Sequence, residues 1–273
     1  MKVSVVISTY NSPAWLEKVL WGYECQTHKD FEIVIADDGS GNETKQLIDR
    51  FISQTALEII HVWHADNGFQ KSQILNKAIV ACTTDYLIFS DGDCIPRHDF
   101  VEVHVRNAQK GFFLSGGYFM LPMETSKTIQ QADIKNRNAF QVSWLYAHGL
   151  PRTHKTMKLT SAGWKEKFLN FITPTKATWN GHNSSGWKKD IVEVNGFNEK
   201  MQYGGQDREL GERMMNKGIK GKQIRYSAIC IHLDHKRGYN TKESIQFNRA
   251  IRNETKKLHK TWTEFGIIKD SKQ

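Results

Sequence analysis

Asp91 and Asp93 stand one glycine apart at the end of an apolar run, Tyr86-Leu-Ile-Phe-Ser-Asp-Gly-Asp-Cys-Ile-Pro96. Two carboxylates that close cannot both be satisfied in an apolar core, so a cationic partner is expected beside them. Alone, such a pair is an ordinary solvated turn; its company gives it weight. Thr9-Tyr10-Asn11 and Asp37-Asp38 close two other apolar runs in the same half of the chain. Later come Tyr203-Gly-Gly-Gln-Asp207, at the start of a helical pattern, and His232 with His235 after an apolar stretch. No Gly-x-Gly-x-x-Gly follows the first apolar run, and no Gly-x-x-x-x-Gly-Lys-Ser/Thr loop occurs, which disfavours a dinucleotide dehydrogenase or a P-loop. Without such a cradle a bound diphosphate needs another counter-charge. A divalent cation on Asp93 would supply it, acting as a Lewis acid.

The elements that must position these residues alternate. Val3–Ser8 reads as a central strand, and Ser12 with Pro13 opens a helix over about 14–26, Ser12 as the cap. Phe31–Ala36, Leu57–Trp63 and Asp85–Phe89 read as further strands, with helical spacing over 70–80 between the last two. Alternation of this kind predicts an α/β fold with a mostly parallel sheet, and right-handed crossovers put the three polar clusters along one edge of it. In the second half the spacing predicts a helix over 98–109, one strand over 111–119 and a long helix over 129–150. The candidates for its buried face are Phe140, Val142, Trp144, Leu145 and Tyr146. Residues 151–178 read as a basic, irregular insertion over the acceptor side. Trp179–Gly186 reads as a polar, glycine-rich loop, followed by a helix over 187–194. A helix from Arg208 to Lys217, stopped by Gly218, and one strand over 222–231 complete the pattern.

The chain has 273 residues, enough for one large domain or two closely joined lobes. With 39% hydrophobic and 25% charged residues it is globular rather than disordered. The formal net charge of +9 favours anionic partners. Zinc-finger spacing and RNA-recognition aromatics are missing, so nucleic acid is not expected. No apolar run is long enough to cross a bilayer, and Met1–Ser8 reads as a strand rather than a signal peptide. Cys25, Cys82, Cys94 and Cys230 lack paired spacing, which fits a reducing, cytoplasmic setting.

At this point the sequence resembles a glycosyltransferase of the GT-A fold, in family 2. The resemblance is carried by Val5-Val-Ile-Ser-Thr-Tyr-Asn11, Ile35-Ala-Asp-Asp-Gly-Ser40, Asn67-Gly-Phe-Gln-Lys71 with Ile74-Leu-Asn-Lys-Ala78, and Phe89-Ser-Asp-Gly-Asp93. Val194-Asn-Gly-Phe197, Gly204-Gly-Gln-Asp207 and Ile231-His232 extend it. The later motifs are also similar, more loosely, to β-1,4-galactosyltransferases. The resemblance implies a Rossmann-like nucleotide-binding half (1–96) fused to an acceptor and catalytic half (97–235), with 236–273 left as a basic helical extension. It implies that Thr9, Tyr10 and Asp38 hold the nucleobase and ribose of a nucleoside diphosphate sugar, with Phe69 and Lys71 near the base. Asp91 would lie close to ribose and metal, Asp93 and His232 would bind Mn²⁺ (or Mg²⁺), and Gly205 would let the backbone approach the donor. Tyr203 would sit under the acceptor sugar, and Asp207 would be the catalytic base, although an Asp at a helix start is also an ordinary cap. Most relatives have Glu where this chain has Gln206, which puts in doubt any role for an acid there.

The activity implied is metal-dependent, inverting transfer of a hexose from a UDP-linked donor to a glycan or lipid-linked glycan, in cell-surface polysaccharide or envelope glycan synthesis. A non-catalytic sugar-nucleotide-binding relative, a nucleotidyltransferase and a retaining transferase remain as alternatives. The basic tail, with Ile245, Phe247, Ile251, Leu258 and Trp262 on a helix from Thr241 to about Thr261, reads as a solvated basic helix or, alternatively, as a peripheral membrane contact at the inner face.

Overall fold

The computed structural model describes residues 1–235 and 241–269. The chain opens with β1 (Val3–Thr9), α1 (Pro13–Glu24), β2 (Phe31–Asp37), α2 (Asn42–Gln54), β3 (Glu58–Trp63), α3 (Lys71–Ala81) and β4 (Tyr86–Asp91). It continues through β5 (Cys94–Pro96), α4 (Phe100–Asn107), β6 (Phe112–Ser115), β7 (Gly117–Met120), α5 (Met123–Thr128), α6 (Gln131–Lys135) and α7 (Val142–Ala147). Then come α8 (Met157–Thr160), α9 (Trp164–Ile172), β8 (Ser184–Trp187), α10 (Lys188–Glu193), α11 (Gln206–Asn216), β9 (Lys220–Gln223), β10 (Ile229–His232) and α12 (Lys242–Lys257).

Seven strands form one sheet in the order β3-β2-β1-β4-β8-β6-β9, and three form a small one, β5-β10-β7. The first four strands are parallel, as their βα alternation predicts. β1 and β2 are buried along their whole length because helices cover both faces, which is why they read as continuous apolar runs rather than alternating ones. Val3, Val5, Ile7, Ile33 and Ile35 pack into one core beneath α1 and α2. Val6, Val34, Leu87 and Phe89 pack into the other, with Ile74 and Ile79 of α3 and Leu210 and Met214 of α11.

Several local expectations are corrected. Ser12 makes no side-chain cap; its carbonyl oxygen accepts the Trp15 and Leu16 amides instead. The strand expected over 111–119 is two, β6 in the large sheet and β7 in the small one, and 222–231 divides the same way into β9 and β10. The long helix over 129–150 is broken: Arg137 adopts a left-handed conformation (φ 63°) between α6 and a 3-10 turn at Asn138–Phe140. Of its expected apolar face only Leu145 is fully buried. Residues 151–178 are not irregular, since they contain α8 and α9. The polar loop over 179–186 becomes β8 from Ser184 onward. Within the expected extension, residues 236–240 and 270–273 lie outside the described residues; the rest packs on the body, α12 against α11.

Candidate active site

A cavity of about 850 Å³ opens at the C-terminal edge of β1, β2 and β4. Each parallel strand delivers its polar end there: Thr9 at the end of β1 with Tyr10 after it, Asp38 just after β2, and Asp91 at the end of β4 with Asp93 two residues on. β8 reaches the same edge from the opposite direction. It runs antiparallel to β4 with Ser184 opposite Phe89, so the residues before β8 face those after β4. This brings His182 into the cavity wall. The small sheet closes another side: on β10, His232 pairs with Cys94 of β5 and Met120 of β7, so Tyr118, Met120 and His232 line the cavity together. Tyr203, Gln206 and Asp207 enter from the start of α11.

Lys71 is the cationic partner that the acidic pair required. Its Nζ donates to Asp91 Oδ1 at 2.7 Å, and the Ser8 hydroxyl donates to the same oxygen at 2.6 Å. Burial alone would raise the Asp91 carboxyl; the Lys71 charge and these two bonds instead hold it well below the usual carboxylate range. Burial pulls the Lys71 ammonium down, but Asp91, Asp207 and Asp93 together raise it above its ordinary value. Lys71 is thus engaged by the acids of the cavity floor.

Asp207 is not a cap. Gly205 occupies the cap position of α11 with φ 92°, a left-handed conformation that favours glycine, and no side-chain cap bond is made. Gly205 does not line the cavity and serves this turn. The Asp207 Oδ1 atom is buried with no hydrogen-bond partner among the described residues. A Cβ on Gly181 would lie 2.9 Å from it, so only glycine lets the chain pass this close. Burial raises the Asp207 carboxyl, reinforced by Asp91 and opposed by Lys71 and by a hydrogen bond from the Gly181 backbone. A carboxylate raised in this way is the stronger base. Gln206 is buried, and its Oε1 accepts the Gly204 amide, a structural use for a neutral side chain at this position.

Asp93, in the same cavity, meets two imidazoles. His232 Nε2 lies 3.9 Å from Asp93 Oδ1, and His235 Nε2 lies 3.0 Å from Oδ2. The His232 Nδ1 atom is 2.8 Å from the Leu233 carbonyl, which can only accept, so Nδ1 carries a proton and Nε2 is the nitrogen that would face a metal. Ligand atoms of Asp93, Cys94 and His232 lie within 4.8 Å of one another. The buried Cys94 thiol is pushed well above its usual range, chiefly by burial and its neighbour Cys230, and stays protonated. What remains is a carboxylate and imidazole set, which fits Mn²⁺ or Mg²⁺ better than a soft metal.

Asp38 Oδ1 pairs with His64 Nε2 at 2.8 Å, and Oδ2 accepts the Gln70 amide at 3.0 Å. Burial raises this carboxyl and those partners oppose the rise. Tyr10, 47% exposed, donates to Asp66 at 2.9 Å. Phe69 packs edge-on against Tyr203 at 6.1 Å, joining the nucleotide half to the entry of α11. Reading the sequence did not single out His182, Tyr118 or Trp15, which also line the cavity. Burial pushes the His182 imidazole down to about 4, against the pull of Asp91, so it stands neutral in the wall. It lies in the polar, glycine-rich stretch over 179–186, where no local pattern shows that the next strand runs antiparallel to β4.

A family model described as glycosyl transferase family 2 matches residues 4–179, and one described as the N-terminal domain of galactosyltransferase matches 171–236. An uncharacterised glycosyltransferase of Bacillus subtilis, YfnE, is 24% identical over 92% of this chain and 69% of its own. Among solved structures, the mannosyltransferase PcManGT of Pyrobaculum calidifontis, in complex with GDP-Man and Mn²⁺, is 17% identical with a TM-score of 0.57, over 94% of this chain. S. aureus TarS 1–349 in complex with UDP-GlcNAc is 14% identical with a TM-score of 0.57, over 88%. The chain spans 62% and 60% of those two chains. The structural likenesses show a shared GT-A fold.

Proposed function

The chain belongs to glycosyl transferase family 2, and on that premise we propose that it is a metal-dependent, inverting enzyme transferring a hexose from a UDP-linked donor to a glycan or lipid-linked glycan. Such a product would enter a cell-surface polysaccharide or envelope glycan. Glycosyl transfer from a nucleotide sugar is the activity of the family. The metal, nucleotide, sugar and stereochemistry are the proposal.

One observation carries it. The cavity is lined both by Asp207, a raised carboxylate whose Oδ1 is buried with no hydrogen-bond partner among the described residues, and by the carboxylate and imidazole set of Asp93 and His232. Thr9, Tyr10 and Asp38 would hold the nucleoside, with Phe69 beside the base. Asp91, tied to Lys71, would lie by the ribose. A diphosphate entering beside Asp91 and Asp93 meets more negative charge than Lys71 offsets, so it needs a cation. Asp93 and His232 would hold Mn²⁺ or Mg²⁺, with His235 within reach, and the ion would supply electrostatic stabilisation of the leaving diphosphate. Tyr203 would offer a flat face to the acceptor sugar. Asp207 Oδ1 would accept the acceptor hydroxyl's proton as that oxygen attacks the anomeric carbon, breaking the bond to the diphosphate and inverting the centre.

Titration of UDP into wild-type protein and Asp93→Ala, with and without Mn²⁺, tests the metal pole. Mn²⁺ should tighten UDP binding to the wild type at least about tenfold, as expected of a bridging cation, and leave Asp93→Ala unaffected. Equal binding in all four titrations would overturn the assignment. Nuclear magnetic resonance of the product should show the opposite anomer to the donor; a retained anomer would exclude Asp207 as base. A panel of UDP-, GDP- and dTDP-sugars read by thermal shift selects the nucleotide, and a response confined to GDP or dTDP donors would displace UDP.

A further inference from the structure

Away from the cavity lies a helix whose polarity is reversed. In α9, Trp164, Phe168, Phe171 and Ile172 fall at i, i+4, i+7 and i+8 and therefore share a face. That face points outward: the four are 79%, 52%, 87% and 50% exposed. Its inward positions include polar groups. Glu166 lies 3.8 Å from Arg106, and Asn170 donates to the Ser227 hydroxyl at 2.8 Å while accepting the Tyr226 amide at 2.9 Å. A helix of a globular protein turns its apolar stripe to the core. Single exposed apolar residues are ordinary, but a contiguous aromatic stripe marks an interaction surface.

The surroundings are basic. Residues 151–178 carry six Lys and Arg against the single acid Glu166, a formal net charge of +5. A cleft of about 730 Å³ on the inner side of α9 is lined by Arg97, Arg106, Arg137 and Lys167, with Asp99 and Glu166 as its acids. Two copies meeting through this face would bring like charges together, which disfavours self-association. Aromatic side chains flanked by Lys and Arg suit the boundary of an anionic bilayer, rings among the acyl chains and cations at the phosphates. The basic tail fits this role less well. α12 packs on α11, and its outward positions include the polar residues Gln246, Asn253 and Lys257.

We propose that α8 and α9 dock the protein on an anionic lipid surface, with Trp164, Phe168 and Phe171 inserted and the surrounding Lys and Arg on the headgroups. Lys158 of α8 donates to the Tyr118 carbonyl at 3.2 Å and lies 5.5 Å from its ring, which joins the docking face to a strand of the cavity wall. The bilayer would thus lie beside the side from which an acceptor arrives. The docking does not depend on the sugar-transfer reading, and its test measures binding alone.

Sedimentation of the full chain with vesicles of phosphatidylcholine, and of phosphatidylcholine mixed with phosphatidylglycerol, provides that test. Binding should be about tenfold or more tighter on the anionic vesicles. The triple variant Trp164→Ser, Phe168→Ser, Phe171→Ser should lose about tenfold or more of it. Phe247→Ser on α12 should bind as the wild type does. The substituted rings are exposed, so the triple variant should melt as the wild type does. Should it not, Lys165→Glu with Lys167→Glu replaces it and should remove the dependence on phosphatidylglycerol. Binding indifferent to phosphatidylglycerol, retained by the stripe and charge variants, or lost in Phe247→Ser overturns the proposal. So does a wild-type dimer in solution that the stripe variant converts to monomer.

Discussion

His104 shows how far from the chemistry the cavity is set. It is fully buried beneath the wall, its Nδ1 2.8 Å from the Ser185 hydroxyl and its Nε2 2.9 Å from Asn183 Oδ1. Asn183 in turn donates to the Gly117 and Ala228 carbonyls, which fixes the turn that carries Gly181 and His182. Burial pushes the His104 imidazole down to about 4. In the unfolded chain it titrates near 6.5, so between these values the unfolded state binds the extra proton. His104 therefore contributes stability that is present above pH ~6.5 and lost as pH falls through ~4, on the order of 3 kcal/mol. The urea midpoint should drop over that window, and less steeply in His104→Gln, where His182, His98 and the acids still titrate. Equal slopes would contradict the assignment. Nothing in the residues around His104 announced this: a histidine within Phe100–Asn107 reads as any helix position, and its partners lie far away in sequence.

Among the elements, α11 carries the most. Arg213 and Glu209 form a buried ion pair at 2.8 Å; Arg213 also donates to the carbonyls of Val194 and Gly196, and Thr255 donates to Glu209. These bonds fasten α11, which carries Asp207 in its first turn, to the Val194–Phe197 turn and to α12. Arg213→Met would strand the Glu209 charge and should cost about 3–5 kcal/mol, whereas replacing both partners with apolar residues should restore much of the loss. Chemical denaturation of the single and double variants checks this, and a double variant no more stable than the single would contradict it. The parallel strands were legible because burial on both faces writes an unbroken apolar run, as in Val3–Ile7 and Phe31–Ala36. The edge strands were not. β6 and β7 follow each other with only Gly116 between them, and local sequence has no way to say that the chain changes sheets there. Nor could periodicity show that Arg137 would turn left-handed and break a helix that the surrounding spacing supported.

On the scale of the whole molecule, the two expected halves share one sheet, since β8, β6 and β9 extend the edge that β4 begins. The tail is likewise built into the site. Asn248 of α12 donates to the carbonyls of Gln202 and Gly204 at 2.8 and 3.1 Å, and the Ser244 hydroxyl donates to that of Tyr203. Asn195 binds the chain again through Thr263 and Ile268. Asn248→Leu should lower the turnover rate while leaving UDP binding intact, because it loosens the turn before Asp207 and not the nucleotide half; a rate equal to wild type would show that the turn holds without it. The acidic strand ends were readable from the sequence as one cluster. The carboxylate of Asp207 was readable only as a candidate, because a cap and a base look alike in sequence; the structure gives the cap position to Gly205 and leaves Asp207 in the cavity wall.

The most direct test pairs transfer rate with nucleotide affinity in Asp207→Asn. This substitution keeps the size of the side chain and removes its capacity to take a proton. The expected result is a turnover rate lower by ~10²–10⁴-fold, with the affinity for UDP in the presence of Mn²⁺ unchanged. A variant that still transfers sugar within a few-fold of the wild-type rate would contradict the central claim that Asp207 is the base.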